Sequence, residues 1–252
     1  MDEIIETFRS GLFSGKHIVV SGGSSGIGLA VAQGFAQAGG TVIATGTSAE
    51  KLQADRTDAQ FRGITFASLD VRRSDDIRAF MSELSSLDVL VNAAGIARPV
   101  AEFDEATYLD VIDVNLNSVM RCSMAARALL TTSRGAIVNF ASMLSYLADP
   151  IVPAYGASKT GVVGLTRHLA HAFGTDGVRV NAVAPGYHKT NMTKPLWNEP
   201  AEAERIAART ALKRWGTVDD LVGVCLFLAS PAAQYITGAD IVVDGGYVCG
   251  TA

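Results

Sequence analysis

At 252 residues, 48% of them apolar, the chain can bury one large core, and a single domain is the usual outcome for an α/β protein of this length. Its 21 basic and 25 acidic residues leave a formal charge of -4, which gives no electrostatic case for nucleic acid or an anionic membrane as a partner. Cys122, Cys225 and Cys249 are widely spaced and odd in number, which argues against a disulfide framework or a zinc site and for the reduced thiols of a cytoplasmic protein.

The first residues are acidic where a secretory signal would be basic, and Ile4, Ile5 and Phe8 suggest a short amphipathic lead-in over 1–12, peripheral to the body. A first strand is expected at 17–21. It runs into a glycine-rich turn, Gly22 to Gly28, and then a helix over 26–38 whose Ile27, Val31 and Phe35 recur at helical spacing. Strands follow at 41–45 and 64–69, a helix at 74–84, a strand at 87–92 and a long helix at 105–130. The pattern continues with a strand at 135–141, a helix at 155–173 and a strand at 178–183. Residues 187–215, rich in Pro, Lys, Asn and Thr and carrying Trp197 and Trp215, interrupt the alternation and suggest a lid over a substrate. A helix at 217–229 and a strand at 239–243 complete the chain. Its longest apolar stretches, such as 221–229, are too short to cross a bilayer. Strand and helix alternate without repeat or linker, so the expected fold is a single-domain, Rossmann-type, doubly wound parallel sheet.

Such sheets bind ligands outside the carboxyl ends of their strands. The glycine turn, Asp70, Asn92–Gly95, Ser142 and Pro185–Gly186 all fall at expected strand ends and should meet in one crevice. Glycine between strand and helix lets backbone approach a pyrophosphate, and the helix N-terminus offers free N–H groups and partial positive charge. Tyr155 and Lys159, four apart on a helix, share one face. A phenol loses its proton near pH ~10, so a nearby ammonium is needed to bring it towards a working range. Ser142 adds a hydroxyl for a substrate oxygen. His168 and His171, three apart without a carboxylate or cysteine at useful spacing, read as packed or solvated rather than as metal ligands.

These motifs resemble the short-chain dehydrogenase/reductase family from about Phe13 to the C-terminus. The glycine pattern matches Ser21 to Gly28. The Asn-Asn-Ala-Gly motif matches Asn92, Ala93, Ala94 and Gly95, with alanine replacing the second asparagine. Asn115, Ser142, Tyr155 and Lys159 match the catalytic set, and Pro185–Gly186, followed by His188 and Thr190, matches a later motif. The resemblance implies an NAD(P)-dependent oxidoreductase working on a secondary alcohol and its ketone, a small or medium carbonyl compound or polyol. In that scheme Tyr155 is the acid–base, Lys159 lowers its pKa and binds the nicotinamide ribose, and Ser142 holds the carbonyl oxygen. Asn115 positions a relay water, or satisfies helix backbone. Gly22, Ser24, Ser25, Gly26, Ile27 and Gly28 would cradle the pyrophosphate, with Asp70 and Val71 at the adenine.

The second strand ends with Gly46 where NAD-preferring relatives carry an aspartate. Thr47, Ser48 and Lys51 lie beside it, so NADP(H) is favoured over NAD(H), although the arginine of many NADP users is missing. On the family pattern Ile96, Met143, Leu144, Leu147, Tyr187 and Trp197 would give a mostly apolar substrate pocket. A 3-oxoacyl thioester reductase is the alternative, and a non-catalytic nucleotide-binding scaffold a remote one. The resemblance also implies a homotetramer or homodimer, with Gly156, Ala157, Gly161 and Gly164 allowing close helix approach.

Overall fold

The computed structural model describes residues 1–48, 52, 61 and 63–250. Seven strands form one sheet in the order β3-β2-β1-β4-β5-β6-β7, every pair parallel. They are β1 (His17–Ser21), β2 (Thr41–Gly46), β3 (Ile64–Ser68), β4 (Val89–Asn92), β5 (Ala136–Phe140), β6 (Arg179–Pro185) and β7 (Asp240–Val243). Because β4 and β5 are covered on both faces, every residue in them is buried, as parallel strands require.

Alternation along each strand feeds two cores. Ile18 and Val20 of β1, with Val138 and Phe140 of β5, pack under α2 (Gly26–Gln37) and the C-terminal helix. Val19 and Ile137 face the opposite side, against α3 (Ser74–Ser82) and two longer helices. Complete burial of a side chain such as Phe35 or Leu130 is worth about 1.5–3 kcal/mol, and both are 0% exposed. The lead-in helix α1 (Asp2–Glu6) is short, and Met1, Ile4, Ile5, Phe8 and Leu12 pack against the first core.

The long helix expected at 105–130 is divided. Helix α4 (Glu105–Ile112), capped by Asp104 accepting from the Thr107 N–H at 3.0 Å, passes into a π-helical turn at Asp113–Asn117 and then α5 (Ser118–Ser133). Helix α6 (Pro153–Gly174) begins two residues before the expected start, with proline at its first position, where no N–H is needed. Residues after β6 contain α7 (Lys194–Trp197) and α8 (Pro200–Arg209). The segment expected to be one helix at 217–229 is a 3-10 turn, Val218–Leu221, followed by α9 (Val222–Ala229). Strand order reverses between β1 and β4, and that switch opens the crevice described next.

Candidate active site

Gly22 leaves β1 at φ +74, a conformation that side chains disfavour, and a Cβ there would sit 2.5 Å from the Ala94 backbone nitrogen. The β1 and β4 exits can therefore lie against each other. The N-cap of α2, Ser25, makes no side-chain cap bond, so the first-turn N–H groups face a crevice of about 410 Å³. Its walls bring together Gly22, Ser24, Ser25, Gly26, Ile27 and Gly28 with Ala93, Ala94, Gly95 and Ile96. Gly46, Thr47, Asp70, Val71 and Thr190 line it as well, while Ser48 does not. Lys51 lies outside the described residues. Asn92 does not line the crevice either. Its buried Nδ2 donates to Asn139 Oδ1 at 2.9 Å, and Asn139 in turn donates to Thr166 Oγ1 at 3.0 Å, a polar chain beneath the crevice.

Asp70 is already engaged. Arg72 donates from Nε and Nη2 at 3.0 and 2.8 Å, and from Nη1 to Asp110 on α4 at 3.1 Å. Hydrogen bonding to Arg72 holds the Asp70 carboxyl below its usual range. Arg72 is a crevice residue that sequence reasoning missed, because only the fold carries Asp110 to its far side.

A smaller recess of about 110 Å³ shares Ile27, Ala93, Gly95, Thr190 and Met192 with the crevice. Ser142, Tyr155, Lys159, Pro185, Gly186 and His188 also face it. Ser142 follows β5, and its Oγ accepts from the Leu144 N–H at 3.1 Å, which fixes the hydroxyl at the start of a short 3-10 turn. Lys159 is 4% exposed; its ammonium donates to the Phe140 carbonyl at 2.7 Å and lies 5.6 Å from the Tyr155 ring centroid. Burial pulls its pKa down to about 8.

The Tyr155 phenol does not follow expectation. Burial pushes its pKa up, the Glu102 carboxylate adds to the rise, and a hydrogen bond to Ser142 opposes it. Lys159 does not offset burial, because the ammonium is itself desolvated and turned onto Phe140.

Asn115 sits in the π turn, where such turns often mark functional sites. Its Oδ1 accepts from the Ile96 N–H at 2.8 Å, and its Nδ2 donates to the Ile96 carbonyl at 2.9 Å and to Ser158 Oγ at 3.1 Å. Ser158 Oγ donates to the Tyr155 carbonyl at 2.7 Å. The backbone that its side chain satisfies is that of the Ile96 loop rather than of a helix.

The expected apolar substrate pocket is arranged differently. Met143, Leu144, Leu147, Tyr187 and Trp197 form a cluster with Ile206, Trp215 and Tyr247, outside the walls of the recess. The Tyr187 ring packs at a tilt against Trp215, centroids 5.4 Å apart, and edge-on against Tyr247 at 5.3 Å, and Trp197 Nε1 donates to the Thr190 carbonyl at 3.0 Å. These aromatics brace the segment after β6 by its underside, and Met192 and Thr193 face the recess instead. The His188 ring is buried, with Nδ1 on the Gly186 carbonyl at 3.1 Å, and burial lowers its pKa.

Comparison with known proteins bears on this arrangement. Residues 22–248 match the family model described as enoyl-(acyl carrier protein) reductase. The chain is 39% identical over 241 residues to the 2-dehydro-3-deoxy-D-gluconate 5-dehydrogenase of Bacillus subtilis, covering 93% of this chain and 95% of that one. It is 36% identical over 247 residues to the 3-oxoacyl-(acyl-carrier-protein) reductase of Chlamydia trachomatis, covering 94% and 99%. Among solved structures, a gluconate 5-dehydrogenase from Burkholderia cenocepacia in complex with NADP and tartrate superposes with a TM-score of 0.88 at 31% identity, covering 95% of this chain and 97% of that one.

Proposed function

The chain belongs to the short-chain dehydrogenase/reductase family, and from that premise we propose that it interconverts a secondary alcohol and its ketone with NADP(H), acting on a small polyhydroxy acid such as gluconate. The observation that carries this reading is the recess where Ser142, Tyr155 and Lys159 share one cavity beside a crevice suited to a dinucleotide. The cofactor, when bound, supplies the hydride donor or acceptor. Gly22 to Gly28 and the α2 N-terminus would hold its pyrophosphate, and Thr47 its adenosine ribose.

Tyr155 gives its proton to the carbonyl oxygen in reduction and takes the hydroxyl proton in oxidation. Burial keeps the phenol protonated at neutral pH, which suits reduction. Ser142 offers its hydroxyl to the same oxygen as charge develops there. Below about pH 8 Lys159 remains cationic, 5.6 Å from the Tyr155 ring centroid.

NADP(H) is favoured because Gly46 presents no carboxylate to repel a 2′-phosphate, and because the Burkholderia relative was crystallised with NADP. A polyhydroxy acid is favoured by the gluconate-type names of the relatives. Arg98 supports it too: exposed on the crevice wall, its guanidinium has no carboxylate partner among the described residues and offers a cation to an acid group. The second reading, a 3-oxoacyl thioester reductase, rests on the Chlamydia relative. The intact set of Ser142, Tyr155 and Lys159 speaks against a non-catalytic scaffold.

A homotetramer in the cytoplasm completes the reading. Exposed Met120 and Met124 on α5, and the open space at Gly164 on α6, favour helix pairing between subunits. Buried, unpaired Cys122 and Cys225 suit a reducing compartment. Values of kcat/KM for gluconate and a 3-oxoacyl thioester, each with both nicotinamides, test the proposal. Gluconate turnover with NADP favoured over NAD is expected; thioester turnover alone, or a strong NAD(H) preference, would contradict it.

A further inference from the structure

Glu102 is 1% exposed, in a short 3-10 turn, Ala101–Phe103, between β4 and α4. Its carboxylate accepts two hydrogen bonds: Oε1 from the Arg98 N–H at 2.8 Å and Oε2 from the Tyr155 N–H at 2.9 Å. Tyr155 is the third residue of α6, so its N–H is among the four that a helix leaves without an internal partner. No side chain at the N-cap, Val152, serves that end. The cap comes instead from a residue 53 positions earlier. A second tie, from the Val100 N–H to the Ile151 carbonyl at 2.7 Å, seals the same two segments together.

We propose that Glu102 is a positioning residue: its buried carboxylate fastens the backbone of Tyr155, and with it the phenol, to the loop that follows the cofactor-lining Gly95, and its negative charge is part of the field in which that phenol works. The proposal rests on the assignment of Tyr155 as the acid–base group. A helix N-terminus carries partial positive charge that would favour phenolate. Glu102 neutralises it and adds a charge of the opposite sense, in line with its contribution to the raised Tyr155 pKa. The other titratable groups lining the recess with Tyr155 are Lys159 on α6 itself and His188 after β6, with the Ser142 hydroxyl after β5 beside them. Burial lowers the pKa of both His188 and Lys159. Glu102 is hydrogen-bonded to the Tyr155 backbone itself, so removing its charge acts most directly on Tyr155.

Two variants separate charge from reach. Glu102→Gln keeps the length and loses the charge. Glu102→Asp keeps the charge and falls short of the Tyr155 amide. In Glu102→Gln the acid limb of kcat/KM for alcohol oxidation and the alkaline limb for ketone reduction both move to lower pH. In Glu102→Asp both limbs stay at their wild-type positions while kcat falls by roughly 10- to 100-fold, the scale expected when a reacting group is misplaced by about an ångström. The Kd for NADPH is unchanged in both. Residue-resolved hydrogen exchange on the wild-type chain gives a reading that needs no variant to fold, with the Tyr155 amide protected although it lies in the first turn of its helix. A Glu102→Gln profile superimposed on wild type, equal displacement in both variants, or a freely exchanging Tyr155 amide would overturn the role of Glu102. Tyr155→Phe distinguishes the two levels: if it is inactive and the Glu102→Gln limbs do not move, only this proposal falls, and if it retains turnover the acid–base assignment falls first.

Discussion

An ammonium buried at Lys159 with one carbonyl for company lowers the stability of the folded chain. Its pKa drops from 10.5 to about 8 through burial, and at about 1.4 kcal/mol per pH unit this corresponds to roughly 3 kcal/mol. The sign follows from proton binding: between about pH 8 and 10.5 the unfolded chain holds a proton at this site that the folded chain has released, so stability rises with pH across that window. Lys159→Met keeps much of the side-chain volume and removes the charge. Thermal melts are expected to find the variant at least as stable as wild type at pH 7, with wild type gaining on it between pH 8 and 10.5, while turnover is lost. A difference independent of pH would mean that the ammonium is better solvated than its surroundings suggest. Tyr155 is in a related position. Its phenol is kept protonated by the same burial that prepares the recess for chemistry.

At the scale of elements, the π turn at Asp113–Asn117 joins two helices to the site by a single asparagine. Asn115→Ala would leave the Ile96 N–H and carbonyl without their partners in a partly buried setting. At about 1–3 kcal/mol for each buried group left unsatisfied, and about 2–4 °C per kcal/mol for a chain of this size, differential scanning calorimetry should find Tm lower by roughly 5–15 °C. A Tm within a degree of wild type would mean that water replaces the side chain without cost. The turn itself was not legible in the sequence. Buried Val111, Val114, Asn115, Ser118, Val119 and Cys122 keep an almost unbroken helical period across it, so the apolar pattern predicts one helix. Strands were legible because β-branched runs end at glycine, asparagine or proline, as at Gly46, Asn92 and Pro185. The aromatic cluster of Tyr187, Trp215 and Tyr247 was not, since its members meet only through the packing of three separate segments. Glu102 escaped notice for the same reason: its partner Tyr155 is remote in sequence, and a lone glutamate between two elements carries no local signal of burial.

Across the whole molecule, the reversal of strand order beside β1 explains why residues scattered from Gly22 to Thr190 line one crevice. Most lie at the carboxyl end of a strand or just after it, with Asp110 and Val114 added from α4 and the π turn, and the two cores above and below the sheet hold those ends in register. The glycine turn and Ser142 were readable as strand-end residues and Tyr155 and Lys159 as one helix face, and the structure brings them to two adjoining cavities. The recess wall at Met192 and Thr193 was not readable, because it depends on how the segment after β6 folds back.

The proposed chemistry turns on whether one phenol hydroxyl on α6 is the group that exchanges a proton with substrate. Steady-state turnover of gluconate and its keto product by Tyr155→Phe, with the NADPH Kd measured on the same preparation, tests this most directly. A fall in kcat of about 10²- to 10⁴-fold is expected, the usual yield of a positioned acid–base group, with cofactor affinity and Tm essentially unchanged. Turnover at the wild-type rate in a variant lacking only that oxygen would contradict it.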